Sequence, residues 1–415
     1  MKVVVRTLLL LWTVVAVAAC VYFSLIRPNT SRVQMLQSET VDLHGYGVID
    51  FIQYWSAYRV VECGRNPYLP ANMREVQSTI GTVGDVTMMW NPPWLLLIMK
   101  PILELDLKKA AVGWFALNIL FLLIAVYLCA LLYPRQQGFK IFALFALVLF
   151  PPFYEVLRLG QISLLLTVSV LGFSVCLKKR WDFAAGFLLS LTSVKPHLVY
   201  LLALVLIWWI FKERRFFVLW GGVVGLGVLV GGSLIFQGPI LSQWIDAQLH
   251  PEIISGAVRT NEWLAATLGG FLRAYGGSWL GALRIEVFVV LGATALMLFR
   301  LTRYRPDISW SNELPLLILL SLTTAPYGWF FDTAIALSVV AYGVSICRNR
   351  APLFFACLFS YYALTGGYLA YVAQFHHQMF FFPICLLVVF LLGRDFSIAK
   401  DLARRRQKSL LGGFR

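Results

Sequence analysis

A carboxylate opens an aromatic stretch at Asp50-Phe51-Ile52-Gln53-Tyr54-Trp55-Ser56-Ala57-Tyr58. At helical spacing Tyr54 lies one turn beyond Asp50, on the same face. A carboxylate takes the proton of a hydroxyl group and a ring covers the apolar face of a sugar, so the pair suits a general base working beside carbohydrate. The same residues also suit a helix cap with interfacial aromatics, and both readings stand at this level. Trp55, and Asn66 and Tyr68 in the following Gly64-Arg65-Asn66-Pro67-Tyr68 turn, are expected to complete a sugar or acceptor pocket.

Cations suited to an anionic group come later. Arg158 and Gln161 lie one turn apart at the end of Pro151-Pro152-Phe153-Tyr154-Glu155-Val156-Leu157-Arg158-Leu159-Gly160-Gln161. An arginine there offers a bidentate fork to a phosphate, or pairs with Glu155. Lys195-Pro196-His197 interrupts an apolar run; its lysine is either functional or snorkels to the membrane surface. Glu262, in Asn261-Glu262-Trp263, is a candidate acceptor contact. Asp332 is an acid just inside an apolar run, where ionisable groups are costly. His376 sits at a late turn beside His377 and is a further candidate for the phosphate. No metal-ligand spacing such as HxxxH or HExxH occurs. A divalent ion held by Asp50 with Glu262 or Asp332 is chemically conceivable but not required, so no metal or other cofactor is expected. Walker A, dinucleotide-loop and nucleophile-elbow patterns are absent too.

The elements that must position these residues are membrane helices. Of the 415 residues, 60% are hydrophobic and only 13% charged, more apolar surface than a water-soluble fold could hide. The apolar runs are continuous rather than alternating, which excludes a β-barrel. They fall at 7–26, 110–133, 139–153, 161–177, 183–195, 197–211, 216–236, 279–300, 313–325, 329–346, 352–371 and 377–393, about twelve spans in one transmembrane domain over 1–415. The first, after Lys2 and Arg6, is spanning length and reads as a retained helix rather than a cleaved signal. The net charge of +15 reflects Lys and Arg in alternate short loops rather than a nucleic-acid surface. Those loops, with the tail at 394–415, all face the cytoplasm if both termini do. The loops at 27–109 and 237–278, with shorter ones at 154–160, 195–197, 326–328 and 372–376, then face outward and carry the chemistry. Two features keep this pattern consistent: a reversal at Lys195-Pro196-His197, and a helix over 92–103 that dips into or lies along the outer interface instead of crossing. Of the seven cysteines, all but Cys63 lie in apolar runs, as small core hydrophobes do.

Taken in order, Asp50-Phe-x-x-Tyr54-Trp55, Gly64-x-Asn66-Pro67-Tyr68, Pro92-Pro93, Gly160-Gln161, the short helix ending Lys195-Pro196, and Pro326-Tyr327 followed by Asp332 resemble glycosyltransferase family 87. That family is a branch of the GT-C membrane glycosyltransferases, and the resemblance runs from about residue 45 to 395. It implies a GT-C fold and inverting transfer of a hexose or pentose, mannose among them, to a lipid or glycan acceptor. The donor would be a polyprenyl-phosphate sugar, the site extracytoplasmic, and the setting the bacterial plasma membrane, in glycolipid or cell-envelope assembly. The family's first-loop aspartate, its proposed general base, falls on Asp50. Where some members carry histidines after a Ser-Pro-x-x-Trp segment, this chain has Ala325 in first place and then Phe331-Asp332. On this reading Arg158, Lys195, His197 and His376 hold the donor phosphate. Tyr54, Trp55, Asn66, Tyr68, Gln161, Glu262 and Asp332 line the sugar and acceptor side. The competing class is a lipid-linked sugar flippase or transporter; internal repeats in matching halves, common in transporters, are not evident.

Overall fold

The computed structural model describes residues 50–81, 86–133, 150–250, 266–275, 284–304 and 307–346. The expected first helix, the spans at 352–371 and 377–393, most of the run at 139–153, Glu262, His376 and the basic tail lie outside the described residues.

All regular structure among the described residues is helical. Helices α1 (Phe51–Glu62) and α2 (Pro70–Thr79) open the described chain, followed by α3 (Trp94–Leu103) and the long α4 (Leu107–Leu132). Next come α5 (Pro151–Leu159), α6 (Ser163–Lys178) and α7 (Asp182–Ser190). Two short 3-10 segments, Leu191–Val194 and Pro196–Val199, lead into α8 (Tyr200–Glu213). Then follow α9 (Phe216–Phe236), α10 (Ile240–Leu249), α11 (Leu268–Tyr275), α12 (Ile285–Tyr304) and α13 (Trp310–Thr324). A 3-10 segment at Phe330–Ala336 runs into α14 (Leu337–Ile346).

Four of these stretches, Leu107–Leu132, Pro196–Glu213, Phe216–Phe236 and Ile285–Tyr304, are long and apolar enough to cross a membrane. Shorter apolar helices fall at 163–178 and 182–194, where the sequence predicts spans. The expected run at 313–325 is met by α13. The outer faces of α9 and α12 leave Phe217 70%, Ile235 89% and Leu296 72% exposed. Apolar surface of that extent is stable only against lipid or another protein. The protein is therefore an integral membrane protein. By contrast α3 has 10 residues, about 15 Å of helix, too short to span. Pro92-Pro93 start it, and Leu95, Leu96, Met99 and Leu103 are buried.

Each end of the bundle has its own chemistry. At one end the Lys178 ammonium donates to the carbonyls of Leu131 and Leu132, satisfying groups that the end of α4 leaves open. At the same end Lys212 pairs with Asp307, Arg300 with Glu313 and Arg215 with Asp182. The last pair closes a hairpin. The chain leaves Asp182, runs up α7, breaks at Lys195 and returns down α8 to Arg215, so Lys195-Pro196-His197 is the apex, as the charge pattern requires. The opposite end gathers the apex, the described residues 50–81 and 86–106, and the 325–332 turn. Asn91 Nδ2 donates to the Val194 carbonyl at 3.4 Å, Gln237 Nε2 to Arg65 at 3.1 Å, and the Ala266 amide to Gly328 at 2.7 Å. Arg59 fastens this loop by donating to the carbonyls of Leu103, Glu104 and Leu105, a cation at the carbonyl end of α3. Cys129 and Cys176 are buried and Cys63 is exposed.

Helices α7 and α9 pack in van der Waals contact because glycine lines both faces. A Cβ on Gly186 would overlap the Val218 carbonyl, and one on Gly221 the Phe183 carbonyl. In lipid, where burial gives helices no mutual preference, such close approach is a main source of association. Gly221→Leu is therefore expected to cost at least the ~1–3 kcal/mol of an overpacked contact. Gly227→Leu, where an added Cβ meets nothing within 4 Å, should stay within about 0.5 kcal/mol of wild type. Midpoints of thermal denaturation in detergent test the pair; equal midpoints would show that this contact is not tight.

Candidate functional site

Asp50 stands at the N-terminal boundary of α1, yet its side chain makes no capping bond. Its backbone amide donates to the Leu159 carbonyl at 2.8 Å, which docks the start of α1 on the end of α5. Its carboxylate oxygen Oδ2 accepts from Gln161 Nε2 at 2.8 Å. The other end of the same amide, Gln161 Oε1, accepts the Tyr54 hydroxyl at 3.2 Å. A carboxylate only accepts, so the amide's orientation follows from its two neighbours. Tyr54 is 1% exposed and Gln161 4%, while Asp50 remains partly accessible. Burial, and then the charges of Asp50 and Asp332, push the Tyr54 phenol well above its ordinary pKa, so it acts as a hydrogen-bond donor and not as a phenolate.

The turn that delivers Gln161 depends on glycine. Gly160 closes α5 at φ 72°, a left-handed conformation that a Cβ disfavours. Trp114 Nε1 holds this turn by donating to the Gly160 carbonyl at 2.9 Å. Helix α6 starts at once, so Gln161 projects between Asp50 and Tyr54 while Ser163 faces the next cluster.

That cluster is centred on Asp332, 1% exposed. Its Oδ1 accepts from Lys195 Nζ at 2.7 Å and from Ser163 Oγ at 2.8 Å. Its Oδ2 accepts from the Trp329 backbone amide at 3.0 Å. Lys195, 7% exposed, also lies over the Phe331 ring at 4.8 Å. The lysine thus does not snorkel; it is buried and paired. Beside it, His197 lies against Tyr327 with ring centroids 4.0 Å apart, and its buried Nε2 has no hydrogen-bond partner among the described residues. Burial, then the charge of Asp332, raises the Tyr327 phenol.

The structure therefore brings Asp50, Tyr54, Gln161, Lys195, His197 and Asp332 to one end of the bundle, and both carboxylates act on the Tyr54 hydroxyl. Other expected residues have different attachments. Trp55, one position past Tyr54 and so turned about 100° away, donates Nε1 to the Leu105 carbonyl at 3.0 Å and carries Arg59 on its face. Asn66 Oδ1 accepts the Tyr68 amide at 2.8 Å, and the Tyr68 hydroxyl donates to the Asn91 carbonyl at 3.1 Å, so both build the loop itself. Arg158 pairs with Glu155 at 2.7 Å, the alternative already evident in the sequence, though it lies near enough to feel the Asp50 charge. Glu262 and His376 are outside the described residues. Ser163 and Tyr327 belong to the site and have no role in the sequence reading, although Tyr327 lies in one of the motifs that carry the resemblance. A serine heading an apolar run straight after Gly160-Gln161 is the signal that would have found the first. Among the described residues no group of three His, Cys, Asp or Glu side chains is placed to hold a metal.

A family model described as glycosyltransferase family 87 matches residues 90–326, more than half of the chain. The matched stretch contains Arg158, Gln161, Lys195 and His197; Asp50 and Asp332 lie on either side of it. No curated protein and no solved structure matches the chain.

Removing one partner of a buried ion pair leaves a charge with neither water nor counter-ion. Lys195→Met should cost about 3–5 kcal/mol, and Lys195→Met/Asp332→Leu should recover most of it. Thermal midpoints in detergent check this; a single variant as stable as wild type would mean that Asp332 does not depend on its lysine.

Proposed function

The chain belongs to glycosyltransferase family 87 and is a membrane glycosyltransferase, and on that premise we propose that it moves a sugar from a polyprenyl-phosphate donor to a lipid or glycan acceptor at the extracytoplasmic face of a bacterial plasma membrane. The proposed topology is a single domain of about twelve spans with both termini and the 394–415 tail in the cytoplasm. The 27–109 and 237–278 loops then lie outside.

The proposed reaction is one inverting displacement. The acceptor hydroxyl oxygen forms a bond to the anomeric carbon as the bond from that carbon to the phosphate oxygen breaks. Asp50 takes the hydroxyl proton, and the electron pair leaves on the lipid phosphate. That leaving group needs cations rather than a protonating acid, so a second catalytic carboxyl is not called for. Lys195, His197, Arg158 and His376 are assigned to the phosphate. Lys195 has three donor hydrogens, of which Asp332 takes one, and His197 Nε2 has no hydrogen-bond partner among the described residues. Tyr54 and Gln161 shape the pocket next to the base. Trp55, Asn66 and Tyr68 frame it through the loop, and Glu262 and Asp332 complete the sugar and acceptor side. The apolar groove between spans would take the prenyl tail.

The observation that carries this reading is the attachment of Asp50. It sits at a helix boundary without capping it, partly accessible and held through Gln161, at the end of the bundle where Lys195 and His197 also lie. Asp50→Asn keeps the shape and removes the base. In proteoliposomes supplied with polyprenyl-phosphate sugars and native lipid extract, it should lower kcat by about 10²–10⁴-fold with thermal stability unchanged. Full activity in that variant would remove Asp50 from the chemistry.

A further inference from the structure

We propose that Gln161 is a positioning residue for Asp50: its side-chain amide, locked by the Tyr54 hydroxyl, holds the carboxylate in the orientation from which it takes the acceptor proton. This rests on the reading of Asp50 as the base and assigns Gln161 and Tyr54 a role other than touching the sugar.

Three observations point the same way. The first is the directed chain of bonds, Tyr54 O–H to Gln161 Oε1 at 3.2 Å and Gln161 Nε2–H to Asp50 Oδ2 at 2.8 Å. Each group is used in the only sense its chemistry allows at that point, so the order of the chain is set. The second is burial. Tyr54 and Gln161 are almost wholly enclosed, so the amide oxygen and the phenol are already used inside the protein. The third is how firmly the support is mounted. Gln161 follows a left-handed Gly160 whose carbonyl is held by Trp114, and the α1 boundary is tied to the same turn through the Asp50 amide and the Leu159 carbonyl. Base and positioner are thus anchored to one backbone corner, 111 residues apart in sequence.

A base must hold its oxygen along the line of the departing proton, and misplacement by about 1 Å can cost on the order of 10²-fold in rate. Losing Gln161 removes a bond that orients the Asp50 carboxylate, while losing the Tyr54 hydroxyl loosens only the amide. The effects should therefore be graded and fall on kcat rather than on KM.

The experiment uses the full-length protein in proteoliposomes with the polyprenyl-phosphate sugar and lipid extract that support wild-type transfer. Gln161→Leu, Tyr54→Phe, their double variant and Asp50→Asn are assayed together. Gln161→Leu is expected to lower kcat by on the order of 10²-fold, with donor and acceptor KM within about twofold. Tyr54→Phe, which keeps the ring, should lower kcat by about five- to tenfold. The double variant should be no slower than Gln161→Leu, because Tyr54 acts through the amide. Should Gln161→Leu fail to fold, Tyr54→Phe decides alone: a lowered kcat at unchanged KM upholds the relay and a wild-type kcat overturns it. A raised KM with unchanged kcat in Gln161→Leu, or fully additive losses in the double variant, would make Gln161 a substrate contact and overturn the proposal while Asp50→Asn stays inactive. An active Asp50→Asn would instead overturn the base assignment, and this inference with it.

Discussion

Asp332 is a carboxylate enclosed in an apolar bundle, and the arrangement around it depends on keeping it satisfied there. Left alone, such a group would cost several kcal/mol of lost hydration. Instead it receives hydrogens from Ser163 at the head of α6, from Lys195 at the hairpin apex and from the Trp329 amide of its own turn. Three stretches far apart in the chain are thereby held to one point. None can shift without exposing a charge to an apolar interior, which gives this end of the bundle a defined geometry that dispersion contacts among Leu and Val do not supply.

This anchoring explains why the neighbouring groups are precise. His197 follows Lys195 by two residues and is pressed on Tyr327, which precedes Asp332 by five, so the ion pair sets where that stack forms. Gln161 precedes Ser163 by two, so the bond from Ser163 to Asp332 also fixes where the amide meets Asp50 and Tyr54. The rest of the molecule supports the other end. There basic residues close helix ends and the α7–α8 hairpin at Asp182 and Arg215, while exposed apolar faces of α9 and α12 are suited to lipid.

Much of this was legible locally. The break at Lys195 follows from a proline within an apolar run whose flanks are both basic, and the hairpin closed by Asp182 and Arg215 has that form. Tyr54 lies on the Asp50 side because four residues complete a turn, and the same rule places Trp55 elsewhere, where it fastens Leu105. The short helix after Pro92-Pro93 is α3, within a stretch the charge pattern would not let cross. Asn66 and Tyr68, expected at the sugar or acceptor pocket, also build their own loop: an Asn before Pro can close its turn, and that local bond forms.

What the amino-acid sequence determined by itself was the class of structure and the family. Continuous apolar runs exclude a water-soluble fold, and the order of short motifs resembles family 87. These are properties of composition, local period and order, which a single chain records directly. Only the tertiary structure decided the pairings: Asp50 with Gln161 across 111 residues, Lys195 with Asp332 across 137, and Ser163 with Asp332 across 169. A buried polar group must find a partner, but many residues along the chain could serve, and helical periodicity is blind to which of them the packing brings within 3 Å. That choice depends on helix contacts such as the glycine-lined seam of α7 and α9 and on the left-handed turn at Gly160, whose consequences appear only once the helices are assembled.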